Sequence, residues 1–396
     1  MKLVLGQFND SFPPIMDGVA NVVRNYSYWL AKKYGHCCVV TPFVPNYQDR
    51  EAFDVIRYAS IPVPGRYPYR AGIPAISRNV KSRLEEIPFD LVHAHSPFSA
   101  GQLAWKLARQ RNIPLVASFH TKYYDDFLDA VKSRAIARSL TYYIVQFYNK
   151  ADEVWTLNQE TKNTLRSYGY QGRVEIVPPG IDLPSEDEDI RQDPYGNVRK
   201  ASAPEEGPFE FLFVGQQVWH KNLRLMITAL QQVKEWGIPF RMTMTGEGKA
   251  LDEIKDLVGR LGMTGQFRFT GKICDRKALR DIYAGAHLFL FPSVYDTFGL
   301  VVCEAASVGC PSLVIRNSNA AGNIIDGFNG LLAENDVQSY ALAIQNAVSD
   351  PERLAEIGRN AARTLARSWE SAVDEVALRY GEILSNYKTR QNAQIM

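Results

Sequence analysis

Short apolar runs alternate with stretches in which apolar residues recur every three or four positions, along almost the whole chain. Residues 2–7 read as a strand, and residues 18–33 as a helix with Val19, Val22, Val23, Tyr26 and Leu30 on one side. Residues 36–41 read as the next strand. Strands at 91–95 and 115–120 flank a helix over 100–111, and further strands are expected at 153–157 and 174–177. From 183 to 208 the periodicity gives way to Asp, Glu, Pro, Gly, Lys and Arg, the composition of an exposed linker. It then resumes, with strands at 210–214, 241–245, 267–270, 288–291 and 311–315, a helix over 223–234, and a last helix over 369–387. Strands separated by helices predict α/β domains built on doubly wound, parallel, Rossmann-like sheets. The expected division is 1–182, a linker 183–208, a second domain 209–368, and a terminal helical segment 369–396.

Length supports two domains, because 396 residues exceed what one compact core organises. A net charge of only +2 gives no bulk electrostatic case for nucleic acid. Cys37, Cys38, Cys274, Cys303 and Cys310 show no CxxC spacing, which argues against a disulfide framework or zinc site and for a cytoplasmic setting. No apolar run approaches the ~20 residues that span a bilayer, so any membrane contact is expected to be peripheral.

The segment from Phe291 to Ala305 carries the most chemistry. Its strand ends at Pro292, and Thr297, Phe298 and Gly299 turn the chain into a helix from Leu300. Unpaired N–H groups at such a helix start favour an anion, and Asp296 and Glu304 flank them with seven residues between. Spacing alone equally allows Asp296 to be a helix cap and Glu304 a solvated side chain. A second strand-to-helix turn runs from Gly215 through Gln216 to Lys221, where an ammonium stands near a helix start, or simply on a surface turn. Asp17-Gly18 opens the first helix, either as a phosphate-facing glycine or as a plain turn and cap. His93, His95 and His120 all follow predicted strands, with no carboxylate at a metal-ligand spacing.

The Asp296–Glu304 segment resembles the donor-site motif of the large GT-B family of retaining glycosyltransferases, in which a carboxylate and a Glu are separated by seven residues. The resemblance runs from the first glycine loop to the last helix. It implies an α/β GT-B fold, with two Rossmann-like parallel-sheet domains facing across a cleft and the terminal helix crossing back to the first domain. The implied activity is transfer of a hexose from a nucleoside diphosphate sugar, a UDP-sugar being favoured and GDP-mannose possible, to a hydroxyl of a glycolipid or surface glycan, with retention. By analogy Glu304 holds the ribose hydroxyls and Asp296 the sugar hydroxyls. Lys221 and the N–H groups of Phe298, Gly299 and Leu300 meet the diphosphate, with Gly18 and Gly215 nearby. Gly246 and Lys272 lie beside the base, His120 contacts the donor sugar, and His95, His120 and Tyr123 belong to the acceptor side. No cofactor or metal is implied.

One departure matters. The family places Arg directly after the glycine, where this chain has Gln216, leaving His220, Arg276 and Arg316 as candidate replacement cations. A helix over 131–149, with Lys132, Arg134 and Arg138 among Tyr142, Tyr143 and other apolar residues, suits either a core helix with a basic face or contact with an anionic membrane. Two other readings of the architecture are a nucleotide-sugar 2-epimerase and a sugar-nucleotide-binding protein without catalysis.

Overall fold

The computed structural model describes residues 2–183 and 207–395. The chain divides into two compact units, one of residues 1–180 and 369–396 and the other of residues 181–368. Most of the linker expected over 183–208 lies outside the described residues.

The first unit runs β1 (Leu3–Phe8), α1 (Gly18–Lys33), β2 (Gly35–Pro42), β3 (Asp54–Tyr58), β4 (Ser60–Pro62), β5 (Arg70–Gly72), α2 (Arg78–Glu86), β6 (Leu91–Ala94), α3 (Ser99–Arg111), β7 (Leu115–Phe119), α4 (Tyr123–Val131), α5 (Arg134–Tyr148), β8 (Glu153–Thr156), α6 (Gln159–Ser167) and β9 (Val174–Ile176). Seven strands form a parallel sheet in the order β3-β2-β1-β6-β7-β8-β9. Neighbouring residues feed opposite faces. Cys37, Leu91, Val116 and Trp155 join one apolar cluster, while Cys38, Val92, Ala117 and Val154 join another. Burial on both sides is why these strands read as continuous apolar runs. The small β4–β5 hairpin is antiparallel and separate.

The second unit runs β10 (Phe209–Val214), α7 (Leu223–Glu235), β11 (Phe240–Thr245), α8 (Leu251–Arg260), β12 (Phe267–Gly271), α9 (Arg276–Ala284), β13 (Leu288–Phe291), α10 (Leu300–Ser307), β14 (Ser312–Ile315), β15 (Leu331–Ala333), α11 (Val337–Ser349) and α12 (Pro351–Thr364). Its six parallel strands are ordered β12-β11-β10-β13-β14-β15. A last helix, α13 (Trp369–Ile395), belongs to the first unit. There Trp369, Val373, Val376, Ala377, Tyr380, Ile383 and Leu384 pack with Leu3, Leu5, Val22, Tyr26 and Leu30. Recurrence at three and four residues puts them on one stripe of the helix.

The fold is therefore two Rossmann-like α/β units, as expected. Three local expectations change. The helix expected over 131–149 is broken at Lys132, whose φ of 51° ends α4 in the left-handed region before α5 begins. The final helix continues past 387 to Ile395, through polar residues that carry no apolar period. Strands β3, β4, β5 and β15 add to those read from the pattern; β3 and β15 lie at sheet edges and β4 and β5 form the separate hairpin.

Candidate functional site

In both sheets the strand order reverses beside the first strand, β1 or β10. Ligands of open α/β sheets bind outside the strand carboxyl ends at that reversal. In the second unit the loops concerned follow β10 and β13, and these carry the Gly215–Lys221 and Asp296–Glu304 motifs.

The two loops are tied together. Lys221 donates to Asp296 Oδ1 in an ion pair whose side chains are 14% and 23% exposed. Asn222, held at φ 61°, donates to Pro292 O at 3.2 Å and to Asn335 Oδ1 at 2.8 Å. Buried Ser293 accepts the N–H of Tyr295 at 3.3 Å and that of Asp296 at 3.4 Å. Asp296 is thus not the helix cap: the cap of α10 is Gly299, at φ 75°. A Cβ there would lie 2.9 Å from Ala320 Cβ and 3.3 Å from the Phe291 ring, so both backbone and space require glycine. Among the described residues the N–H groups of Phe298, Gly299 and Leu300 meet no acceptor. Asp296 Oδ2 is buried and meets no donor among the described residues. Gln217 Oε1, after β10, and Ser318 Oγ, after β14, are likewise buried and unpartnered, so unpaired polar atoms gather at this edge of the sheet.

Glu304 follows on α10 and is not a solvated side chain. It is 19% exposed, with Tyr283 Oη donating to Oε2 at 3.1 Å and Arg276 Nη1 to Oε1 at 3.4 Å. Burial raises its pKa above the ordinary carboxylate value, and Arg276 and Tyr283 offset only part of that. Arg276 also lies 3.5 Å from Asp182.

The glycine turn after β11 has a packing role. Gly246, at φ 124°, stands where a Cβ would come 2.0 Å from Gly215 O, and a Cβ on Gly248 would come 2.4 Å from Gln217 O. Gln217 N–H donates to Glu247 O at 2.9 Å, closing the two loops onto each other. Gln216 and Lys272 are exposed at the ends of β10 and β12. Arg316 is engaged by Asp326 at 2.7 Å and Glu334 at 2.9 Å, and the His220 ring rests 4.5 Å from Tyr295.

In the first unit, Asp17 caps α1 by accepting Ala20 N–H at 2.7 Å, and nothing lies within 4 Å of where a Gly18 Cβ would stand. His93, His95 and His120 are buried and stacked, their ring centroids 4.0 and 5.2 Å apart in succession. His93 Nδ1 bonds Tyr380 Oη at 2.6 Å and its Nε2 bonds Ser118 Oγ at 2.8 Å. His95 Nδ1 bonds His120 Nε2 at 3.0 Å, and its Nε2 bonds Gln7 Oε1 at 2.7 Å. Burial depresses all three, His120 to about 3, so the rings are neutral at physiological pH. Tyr123 is only 4% exposed and packs against Phe127 and Phe98, the last 42% exposed.

Asp10 is a buried, multiply bonded acid that the sequence pattern does not single out. Its carboxylate accepts from Ser96 Oγ at 2.5 Å, from Ser99 Oγ, and from the N–H of Ala100 at 3.1 Å, pinning the loop after β1 to the start of α3. Burial raises its pKa despite these bonds. An acid in a loop declares such a role only once the sheet brings β1 beside β6.

Among the described residues no group of three or more His, Cys, Asp or Glu side chains is placed to hold a metal ion. No helix among them is long and apolar enough to cross a membrane.

Residues 16–184 match the family model Glycosyltransferase Family 4, and residues 196–364 match Glycosyl transferases group 1. The alpha-monoglucosyldiacylglycerol synthase of Streptococcus pneumoniae is 24% identical over 88% of this chain and 79% of its own. The D-inositol 3-phosphate glycosyltransferase 2 of Catenulispora acidiphila is 29% identical over 76% of this chain and 72% of its own. Among solved structures, the sucrose-phosphate synthase of Thermosynechococcus elongatus superposes with a TM-score of 0.74 at 20% identity, over 97% of this chain and all of that one. Anabaena HepE in complex with UDP-glucose superposes with a TM-score of 0.70 at 17% identity, over 96% and 99%.

Proposed function

Because the chain belongs to the glycosyltransferases described by the group 1 and family 4 models, we propose that it moves a hexose from a nucleoside diphosphate sugar to a hydroxyl of a glycolipid or surface glycan, with retention at the anomeric carbon. The observation that carries this reading is the start of α10. A buried, unpartnered carboxylate oxygen on Asp296 stands in the same turn as three backbone N–H groups without acceptors. An acceptor for a sugar hydroxyl and a cradle of donors for a diphosphate are what a sugar nucleotide asks of a protein.

In this reading Glu304 receives the ribose hydroxyls, and Asp296 orients the hexose. Lys221 and the N–H groups of Phe298, Gly299 and Leu300 spread the charge of the departing diphosphate. Gly215 and Gln216 border the diphosphate, Gly246 and Lys272 the base. Of the first unit, Gly18 and His120 are assigned to the donor, and His95, His120 and Tyr123 to the acceptor side. No residue is assigned as a covalent nucleophile, and attack on the face the diphosphate leaves gives retention. A UDP-sugar is the favoured donor, which the UDP-glucose complex of the similar Anabaena protein supports. A glycolipid acceptor is supported by the pneumococcal relative, a diacylglycerol glycolipid synthase by name.

We further propose that the protein is cytoplasmic and makes peripheral contact with an anionic bilayer through α5. Ile136, Tyr142 and Tyr143 are 51%, 66% and 59% exposed beside exposed Arg134 and Arg138, so the outward face joins apolar and basic side chains.

The test is a panel of UDP- and GDP-hexoses, each with and without diacylglycerol, glucosyl-diacylglycerol and glycan acceptors. Release of nucleoside diphosphate that depends on acceptor, with the donor's anomeric configuration kept in the product by NMR, is expected. Epimerised sugar formed from donor alone would mark an epimerase. Donor binding without turnover by any acceptor would mark a binding protein.

A further inference from the structure

The three stacked histidines of the first unit form a hydrogen-bond chain with a direction. Gln7, wholly buried on β1, offers its carbonyl Oε1 to His95 Nε2 at 2.7 Å and its amide Nε2 to Tyr380 Oη at 3.2 Å. A carbonyl oxygen only accepts, so His95 carries its proton on Nε2, and a neutral ring then has only a lone pair on Nδ1. The bond between His95 Nδ1 and His120 Nε2 must in turn be donated by His120 Nε2–H. That leaves His120 Nδ1 as a lone pair with no hydrogen-bond partner among the described residues. At the other end of the same amide, Gln7 Nε2–H donates to Tyr380 Oη, which passes its own proton to His93 Nδ1. His93 Nε2–H then donates to Ser118 Oγ. Turning the Gln7 amide over would reverse every proton and give His120 an Nδ1–H.

We propose that Gln7 and Tyr380 are positioning residues that fix His120 in the tautomer with a bare Nδ1, so that it meets a sugar hydroxyl as hydrogen-bond acceptor. This rests on the role proposed above for His120. The chain spans the unit: Gln7 stands at the carboxyl end of β1, and Tyr380 comes from α13, more than three hundred residues later. The groups facing the rings and the amide are Tyr26 of α1, Cys37 of β2, Trp155 of β8 and Tyr380, and none is charged at neutral pH. The Cys37 thiol is pushed up to about 12 by burial, and the Tyr380 phenol is raised well above its ordinary range. With no counter-charge, the rings stay neutral and the direction set by Gln7 holds.

The six histidines make the test direct. The full chain labelled with ¹⁵N-histidine, read by long-range ¹H–¹⁵N correlation at neutral pH, is expected to show His120 protonated on Nε2 alone, its resonances assigned by their loss in His120→Gln. Gln7→Leu and Tyr380→Phe are expected to yield a mixture of both His120 tautomers and to lower kcat/KM for the donor in proportion to the fraction lost from the bare-Nδ1 form, about twofold for an even mixture. Gln7→Glu keeps the acceptor at high pH but stabilises a charged His95, so the acid limb of its kcat/KM profile should move upward. Protonated Nδ1 on wild-type His120, or an unchanged tautomer in Gln7→Leu, overturns the proposal. The wild-type spectrum decides even where a variant folds poorly. If it shows the bare Nδ1 while no nucleotide sugar turns over, the hydrogen-bond assignment stands and the functional reading falls.

Discussion

Replacing Lys221 with Met separates two tasks that one ammonium performs. Toward Asp296 it is a counter-ion. Breaking a buried ion pair costs ~3–5 kcal/mol and breaking an exposed one ~0–1. Side chains 14% and 23% exposed lie nearer the buried case, and the loss would leave Asp296 Oδ1 unpaired beside the already unpaired Oδ2. About 2–3 kcal/mol follows, which in a unit spanning residues 181–368 lowers Tm by roughly 4–12 °C. In the proposed reading the ammonium also meets the leaving diphosphate, and losing such a group costs ~3–4 kcal/mol of transition-state stabilisation, about 10²–10³ in kcat. The double variant Lys221→Met/Asp296→Asn distinguishes the two, because a neutral amide no longer suffers from the missing cation. Calorimetry should show Tm recovering by half or more, while nucleoside diphosphate release stays at or below the rate of the single variant, since Asp296→Asn also removes the carboxylate assigned to the hexose. If turnover recovers together with Tm, or Lys221→Met keeps kcat within about threefold of wild type, Lys221 serves only to neutralise Asp296 and the diphosphate assignment is wrong.

Glu304 gives opposite pH signs for activity and stability. Its folded pKa lies above the ordinary 4.5, so kcat/KM for the donor should fall below a pH higher than 4.5, as the acceptor proposed for the ribose hydroxyls protonates. Between 4.5 and the raised value the folded state binds more protons than the unfolded, so stability should rise as pH falls there, and chemical denaturation of Glu304→Gln should lack that rise. Gly246→Ala forces a Cβ to 2.0 Å from Gly215 O at φ 124° and should cost about 3 kcal/mol in urea titration. Gly18→Ala has nothing within 4 Å and should leave stability level or slightly raised, so a drop in its donor affinity would report ligand contact. Tyr142→Ser/Tyr143→Ser should weaken sedimentation with phosphatidylglycerol vesicles at least tenfold while sparing turnover of a detergent-dispersed acceptor; equal vesicle binding removes α5 from the membrane contact. On the proposed reading, in which Lys221 and backbone amides do the charge work, transfer should survive EDTA, and a loss restored by Mg²⁺ would show otherwise.

The two sheets were legible because parallel strands buried on both faces leave continuous apolar runs such as Leu288–Phe291, and amphipathic helices such as Gly18–Lys33 punctuate them. Edge strands left less trace. Asp54–Tyr58 mixes Asp and Arg with its apolar residues, since only one neighbour covers it. The break at Lys132 has no Gly or Pro to announce it; a lysine there adopts the left-handed conformation. The motifs of the candidate site were visible individually, and their adjacency was not. Lys221 meets Asp296 because β10 and β13 are neighbours in the sheet although separated in sequence by two strands and three helices. The same holds for Asp10, which reaches Ser96, Ser99 and Ala100 across the β1–β6 pairing. Long-range tertiary order, not local propensity, made these contacts.

That order also changes what Gln216 means. Read along the chain, the missing arginine invited replacement by His220, Arg276 or Arg316. In the folded unit Arg316 is already opposed by Asp326 and Glu334, Arg276 by Glu304 and Asp182, and Lys221 by Asp296. Arg316 is committed at 2.7 and 2.9 Å, and His220 lies against Tyr295. The two contacts of Arg276 are longer, 3.4 and 3.5 Å, and its side chain is half exposed, so it is the cation that can leave its partners at least cost. Yet one of those partners is Glu304, whose burial already disfavours its charge, and removing Arg276 from it would raise its pKa further. A diphosphate that drew Arg276 away would therefore weaken the carboxylate proposed to hold its own ribose. The groups free of this conflict are the N–H donors of Phe298, Gly299 and Leu300, which are uncharged, fixed by the left-handed turn at Gly299, and without acceptors among the described residues. On the proposed reading, the demand that the resemblance places on a guanidinium falls here on backbone amides.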